Sequence, residues 1–531
     1  MTFKKFKYTA IACAALAIGA TSCVDDLNVE PKDPSTMTTL TDGKEYYQFL
    51  AQVYGGLVLS GVDGGSDITV DDPGAGVYSR QLWNLQELCS DEAFIGKNWN
   101  DAGIDQLDYS TWSSDNHWLY ESMSRFIFQI TMCNEFLRQI DNASSCASNP
   151  LSAAEISQMK AEVRAVRALS YYHIMDTYGR GPWATENDVV STTPPTYTRA
   201  QMFPLVVADL RDAINSIAPA AQQVYGRVSR EGAMMLLAKL YLNAEVYTGT
   251  PMWNECAQVC QQITATINQL APEYKYLFCA SNSKYVGNGE ILWGIPQDKT
   301  YTQTYGGTTY LSMGAYNANI DAALSQRLGN PGTGWGGPRV RPELANAFSA
   351  GDKRYLIYEG TFTNDLNNIA DWAIDGSGYM CIKYVYTTED DYDNTANVSN
   401  STFNSADFPL FRLADTFLML AECQLHGVQC NGQSYLDMVR DRAGMPHIEL
   451  TADNLLAERM RELYWEGHRR SDLIRFDKFT GNSYLWSWKG GSQQGQAIDS
   501  YRNLYCVPTQ YISTLGQNPG YLSASSHTIF N

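Results

Sequence analysis

Cys23 is the residue whose position most directly implies chemistry. It ends the run Ala20-Thr21-Ser22-Cys23, after an apolar stretch from Tyr8 to Ala20 and a basic start at Lys4, Lys5 and Lys7. Basic, apolar and small-residue regions in that order make a secretory signal. The apolar run is too short to span a bilayer as a helix. A cysteine at the cleavage point predicts a bacterial lipoprotein, in which residues 1–22 leave and the Cys23 thiol is the lipid attachment. Two acyl chains hold a protein firmly on a membrane, where one gives marginal binding.

Catalytic chemistry finds less support. Glycoside hydrolysis needs two carboxylates at a set separation. The densest acidic run, Glu389-Asp390-Asp391-Tyr392-Asp393, reads as a solvated loop. It lacks the D-x-D-x-D-G spacing of a calcium loop, so no cofactor is expected, with structural calcium left open. Glu466 and His468 lie close together, but H-E-x-x-H is missing, and the charges from Glu458 to Arg475 read as an ion-paired helix end and turn. No nucleophile elbow or Walker loop appears. Of twelve cysteines, Cys13 leaves with the signal and Cys23 carries lipid; the others form no CxxC pair, which argues against zinc. Cys256, Cys260, Ile263 and Ile267 share one helical stripe and read as core. Disulfides suit an extracellular protein, but the sequence does not pair them.

The aromatic content points to binding. The chain has 34 Tyr and 12 Trp. These side chains join an apolar face to a polar tip, and a pyranose ring has an apolar C–H face edged with hydroxyls. A net charge of −19 argues against a nucleic-acid partner and keeps an extracellular protein soluble.

The elements that must position such residues are mostly helical. Residues 23–40, with Pro31, Asp33 and Pro34, form a tether. Residues 41–531 are expected to be one domain. Thr41 to Leu57 reads as a helix, and Gly61 to Gly76 as a Gly- and Asp-rich loop. Met159, Val163, Val166 and Leu169 recur at helical spacing, in a helix that ends near Gly179, before Gly181-Pro182. Met234, Leu237, Leu240, Tyr241 and Ala244 make another stripe, answered by Cys256 to Ile267. Leu413, Phe417 and Leu420 begin a third hairpin with Tyr435, Met438 and Val439. The predicted class is therefore mainly α: a tetratricopeptide-like scaffold of helical hairpins. Residues 274–404 are rich in Gly, Asn, Thr and Tyr and predict long loops and short strands inserted in it. Irregular loops on a rigid scaffold are a common way to build a binding surface.

Several segments together resemble the SusD/RagB family, outer-membrane glycan-binding lipoproteins of Bacteroidetes. Arg167-Ala168-Leu169-Ser170-Tyr171-Tyr172 through Tyr178-Gly179-Arg180-Gly181-Pro182 is similar to its R-A-x-x-Y-Y…Y-G-x-x-P block. Arg227 to Glu231 with Leu236 to Tyr241 is a second block, and Arg412 to Asp415 through Ala421-Glu422 a third. Glu458-Arg459, Glu462-Leu463 and Glu466 to Leu473 form the most specific one, and Asn518-Pro519-Gly520-Tyr521 the last. Asp25-Asp26 resemble a surface-export signal of such lipoproteins. Arg80 to Trp83 with Glu87-Leu88 and Asp91-Glu92-Ala93, and Thr302 to Thr309, bring the chain nearest to the family's starch-binding member.

The resemblance implies a cell-surface protein anchored in the outer membrane. It would capture starch-like α-glucan and deliver it to a SusC-like TonB-dependent β-barrel transporter, without catalysis. Another polysaccharide on the same scaffold, or a surface glycoside hydrolase, is the alternative. It further implies an aromatic arc of Trp99, Tyr305 and Trp335, with Asn100, Arg80 and Asp72 as polar partners. The surroundings suit these roles. Trp99 sits among Lys97, Asn98, Asn100 and Asp101, Trp335 between Gly334 and Gly336, and Tyr305 before Gly306-Gly307. Asn can donate to and accept from paired hydroxyls, and Arg80 and Asp72 can add charge-assisted bonds.

Overall fold

Several of the helices begin where side chains satisfy their free N–H groups. In the computed structural model, which describes residues 40–60, 74–95, 101–189, 192–316, 324–325, 328–329, 334–360, 364, 378–392 and 401–521, the scaffold and site use twelve of them. They are α1 (Gly43–Val58), α2 (Tyr78–Trp83), α3 (His117–Gln139), α4 (Ala153–Thr177), α5 (Arg199–Ile214), α6 (Arg230–Leu242), α7 (Trp253–Thr266), α8 (Gly307–Met313), α9 (Leu413–Leu425), α10 (Gly432–Ala443), α11 (Ala452–Leu463) and α12 (Arg469–Arg475). At the start of α4, Ser152 Oγ accepts from the Glu155 N–H at 3.3 Å and Glu155 Oε2 from the Ser152 N–H at 2.8 Å. Such a capping box satisfies two otherwise free donors. Asp42 and Glu45 open α1 with the same device, and Ser229 Oγ accepts from Gly232 N–H at 3.1 Å to open α6. Cys23, Asp72, Trp99 and Asn100 lie outside the described residues.

Apolar stripes then decide the packing. Helix α3 packs on α4, α4 on α5, α6 on α7, α7 on α9 and α9 on α10. The expected hairpins are thus present, and the architecture is mainly α with short strands. One apolar core runs from Leu40 to Tyr521 and includes Cys256 and Cys260. All ten cysteines from Cys89 to Cys506 are free thiols.

The strands come in antiparallel pairs: β1 (Ala93–Ile95) with β5 (Pro338–Val340), β2 (Arg180–Pro182) with β3 (Thr196–Thr198), β4 (Ile291–Ile295) with β8 (Phe408–Arg412), and β6 (Ile357–Tyr358) with β7 (Met380–Cys381). β4, inside the loop-rich insertion, pairs with β8 just past its end, so one strand pair ties the early part of the insertion to the chain that follows it.

The charges from Glu458 to Arg475 do pair, and they pair in the interior. Arg412, at the end of β8, reaches Glu466 at 2.6 Å, Glu290 at 2.7 Å and Glu462 at 2.9 Å, with every side chain fully buried. Arg442 of α10 also bonds Glu462 and, at 3.0 Å, Glu290. Arg354 reaches Glu458 at 2.7 Å, and Asp415 joins Lys239 at 3.0 Å to Arg459 at 2.8 Å. Burial alone would raise Glu462; Arg442, Arg412 and Arg354 outweigh it and hold the carboxyl at about 2.

A second buried set joins the N-terminal block to the C-terminal one. Glu87 Oε1 accepts from the Gly467 N–H at 2.6 Å and the His468 N–H at 3.0 Å, while Glu92 Oε2 accepts from the Trp465 N–H at 3.1 Å. These bonds hold Trp465 at φ 62°, a left-handed conformation that bulky residues avoid. Burial pushes the Glu87 carboxyl up to about 7, and burial beside Glu87 raises Glu92 well above the ordinary carboxylate range.

Two outcomes follow from these buried groups. Arg412→Met leaves Glu290, Glu462 and Glu466 short of a buried cation and should cost about 3–5 kcal/mol. It would be read as a lower urea midpoint at unchanged slope, and an unmoved midpoint would contradict it. The second outcome concerns pH. Glu87 loses its proton near pH 7 when folded, against an ordinary value of 4.5. Its contribution to stability is therefore complete below the ordinary value and is lost as pH rises through the folded one. Glu87→Gln keeps the acceptor and removes the ionisation, so the variant should gain on the parent between about pH 5 and pH 8. A variant-minus-parent stability that stays flat over that range would refute it.

Candidate functional site

Helix α8, seven residues long, is the point on which the expected loops converge. At its start, Gly74 lies two residues past Asp72 with φ 89°. A Cβ there would fall 2.2 Å from Gly306 N, so only glycine lets this backbone lie against Tyr305-Gly306.

On one side of α8, Tyr310 meets Arg80 of α2. The guanidinium carbon sits 4.1 Å from the Tyr310 ring centroid and 5.3 Å from that of Trp118, within cation–π range. Arg80 Nη2 bonds Asp101 Oδ2 at 3.0 Å, and Asp101 directly follows Trp99-Asn100. Arg80, expected to reach a ligand hydroxyl, is 2% exposed. Its guanidinium lies between Asp101 and the Tyr310 ring of α8. Tyr310 also meets the edge of Trp83 at 5.6 Å, and Trp83 meets Trp465 at 5.1 Å. The site helix thus stands on two buried tryptophans.

On another side, α8 is laced to residues 401–407. Thr308 Oγ1 donates to the Ala406 carbonyl at 2.7 Å, the Asn404 N–H donates to Thr309 Oγ1 at 3.0 Å, and Asn404 Nδ2 to Ser312 Oγ at 3.2 Å. This loop presents Phe403, whose ring centroid is 5.2 Å from that of Tyr305. Asp407 at its end is buried, which raises its carboxyl to about 7.

Beyond the C-terminus of α8, a short backbone ladder delivers Trp335. Its N–H donates to the Met313 carbonyl, that of Gly336 to Tyr316 and that of Gly337 to Gly314, each at 2.7 Å. Gly334 has φ 70°, and a Cβ on it would meet the Tyr316 carbonyl oxygen at 2.3 Å. The result is a tilted aromatic pair: Tyr305 and Trp335, centroids 6.0 Å apart at 54°. Tyr305 is 42% exposed. Two rings at that angle cannot both lie flat on a straight ribbon, but they can follow a curved chain.

Tyr305 and Trp335 are thus brought together, and Arg80 packs on Tyr310 of the neighbouring α8. Asp72, Trp99 and Asn100 are beyond the described residues, and their neighbours Gly74 and Asp101 abut the surroundings of α8. Sequence reasoning missed Phe403 and the exposed Tyr301. Both lie in polar runs of the kind that singled out Trp99, so the same criterion would have found them.

Other candidate chemistry has local uses. Glu389 pairs with Lys284 and accepts from Tyr285 Oη at 2.8 Å; Asp391 accepts from Thr388 Oγ1 at 2.8 Å. Among the described residues no group of three or more His, Cys, Asp or Glu is placed to hold a metal ion. No described helix is long and apolar enough to cross a membrane.

Comparison with known proteins agrees with this construction. The sequence profile of the SusD family matches residues 368–521. The starch-binding protein SusD of Bacteroides thetaiotaomicron is 29% identical over 571 aligned positions, which cover 97% of this chain and 98% of that protein. Surface glycan-binding protein A from Bacteroides thetaiotaomicron, solved in complex with laminarihexaose, shares the fold with a TM-score of 0.67 at 19% identity, over 90% of this chain and 99% of the other. A laminarin-binding SusD-like protein does so with a TM-score of 0.68 at 21% identity, over 91% and 100%. The family match over residues 368–521 and the near-complete alignment make the chain similar to SusD-family proteins along almost its whole length, and the solved structures share its fold.

Proposed function

We propose that the protein is a non-catalytic receptor that captures starch-like α-glucan at the cell surface. Trp99, Tyr305 and Trp335 stack on the sugar, Asn100 and Asp72 bond its hydroxyls, and Arg80 supports the arc. Cys23 anchors the chain in the outer membrane with the site facing outward, and a SusC-like TonB-dependent barrel accepts the glycan. The single observation that carries this reading is the tilted Tyr305–Trp335 pair on α8, in a chain aligned almost end to end with a starch-binding relative. No enzyme is needed: among the described residues the polar groups around the pair hold loops in place and do not form the paired carboxylates of a glycosidase. A second reading is a β-1,3-glucan ligand on the same arc, favoured by the laminarihexaose complex of a structural neighbour. That chain is also curved.

Calorimetry with maltoheptaose and with laminarihexaose separates the two readings. For the glucan that binds, Tyr305→Ala and Trp335→Ala should each cost on the order of 2 kcal/mol, as a contact hot spot does, or more than tenfold in Kd. Affinity unchanged in both variants would remove the site. Anchoring has its own readout: Cys23→Ala should move the protein from the membrane fraction to the soluble one, and a variant that stays membrane-bound and surface-exposed would refute lipidation.

A further inference from the structure

Tyr301 is 86% exposed, more than any other large apolar side chain described. A single exposed ring is common on protein surfaces, but this one stands on a built turn. Asp298 Oδ1 accepts from the Thr300 N–H at 2.7 Å and from the Tyr301 N–H at 2.8 Å. The Asp298 N–H donates to Thr302 Oγ1 at 2.6 Å, and the Thr302 N–H returns to the Asp298 carbonyl at 3.0 Å. The Lys299 N–H donates to Ser405 Oγ at 3.0 Å, which ties the turn to the loop carrying Phe403. Beneath it, Asp407 Oδ1 accepts from the Gln297 N–H at 2.9 Å and its carboxylate from Tyr225 Oη. Every bond fixes the backbone and none covers the ring.

The position matches the length of an oligosaccharide. Tyr301 is four positions before Tyr305, and four extended steps of chain reach at most about 14 Å. A chain seated on Tyr305 and Trp335 and continuing for a few sugar units on the Tyr301 side therefore comes within range of this ring. A ring already ordered and already solvent-facing adds contact without the entropy of ordering a loop.

We propose that Tyr301 is a peripheral stacking subsite that engages only the longer glucan chains. It rests on the glucan-binding reading above. The test measures Kd for a trisaccharide and a heptasaccharide of α-1,4-glucan, and for the same two lengths of β-1,3-glucan, on the parent, Tyr301→Ala, Tyr301→Phe and Tyr305→Ala. In whichever series the parent binds, Tyr301→Ala should weaken the heptasaccharide about fivefold to tenfold, the scale of one aromatic contact. It should leave the trisaccharide unchanged, and Tyr301→Phe should match the parent. Tyr305→Ala should weaken both lengths. Melting temperatures should not move, since an exposed ring contributes little to stability. A Tyr301→Ala variant that binds the heptasaccharide like the parent, or loses both lengths equally, overturns the subsite while the arc stands. A parent that binds neither series overturns the glucan reading and the subsite with it.

Discussion

An ionised carboxylate in a dry interior needs a cation or hydrogen-bond donors beside it, and this constraint shapes the molecule. An uncompensated buried charge costs several kcal/mol, so each buried acid selects the segments that can lie beside it. Arg412 is the centre of that selection. It takes Glu290 from just before β4 in the loop-rich insertion and Glu462 and Glu466 from the C-terminal helix and turn. The insertion is therefore held at its base by ion pairs as well as by the β4–β8 ladder. Glu466 also bonds Lys383 at 2.7 Å, bringing in a residue from within the insertion. From this base a line of contacts runs outward: the turn at Trp465, then Trp83, then Tyr310, then the helix that carries the aromatic pair.

Stability and binding thus rest on different residues. The buried network and the helical hairpins hold the fold. The rings that face solvent contribute little to it, yet they are the groups a sugar face can meet. Helix α8 separates the two. Its Tyr310 face is committed to Trp83 and Arg80, its hydroxyls at Thr308, Thr309 and Ser312 to the loop behind Phe403, and its end to the segment bearing Trp335. Pre-ordering of this kind lowers the entropy lost when a ligand binds.

Much of the scaffold was legible because periodicity is a local property. The stripe at Met159, Val163, Val166 and Leu169 became α4, and Leu413, Phe417 and Leu420 became α9. Ion pairing from Glu458 to Arg475 was legible too, since opposite charges close in sequence announce it. Its burial was not: sequence spacing cannot tell a solvated charge from one such as Glu462, fully buried between Arg412 and Arg442. Tyr305 was legible as an exposed aromatic from its glycine neighbours, whereas Trp335 is half-buried against the core. Their partnership depends on backbone bonds between Trp335 and Met313 that no local pattern encodes. Arg80 shows the opposite limit. An arginine near candidate binding residues reads equally well as contact or brace until its exposure is known.

The bonds from Glu87 to Gly467 and His468, and from Arg469 to Asp91 at 2.7 Å, span about 380 positions of sequence. Contacts of such high order close late, because the loop entropy must be met before they return any stability. A chain emerging from its N-terminus reaches residue 92 with three acids that have no partners until the last seventy or so residues arrive. Early hairpins such as α3 with α4 can form meanwhile, but the segment around Glu87 cannot bury. Completion of the fold is therefore tied to completion of synthesis: a chain cut short before Trp465 lacks the groups that close its own centre, and such a fragment stays open to proteolysis.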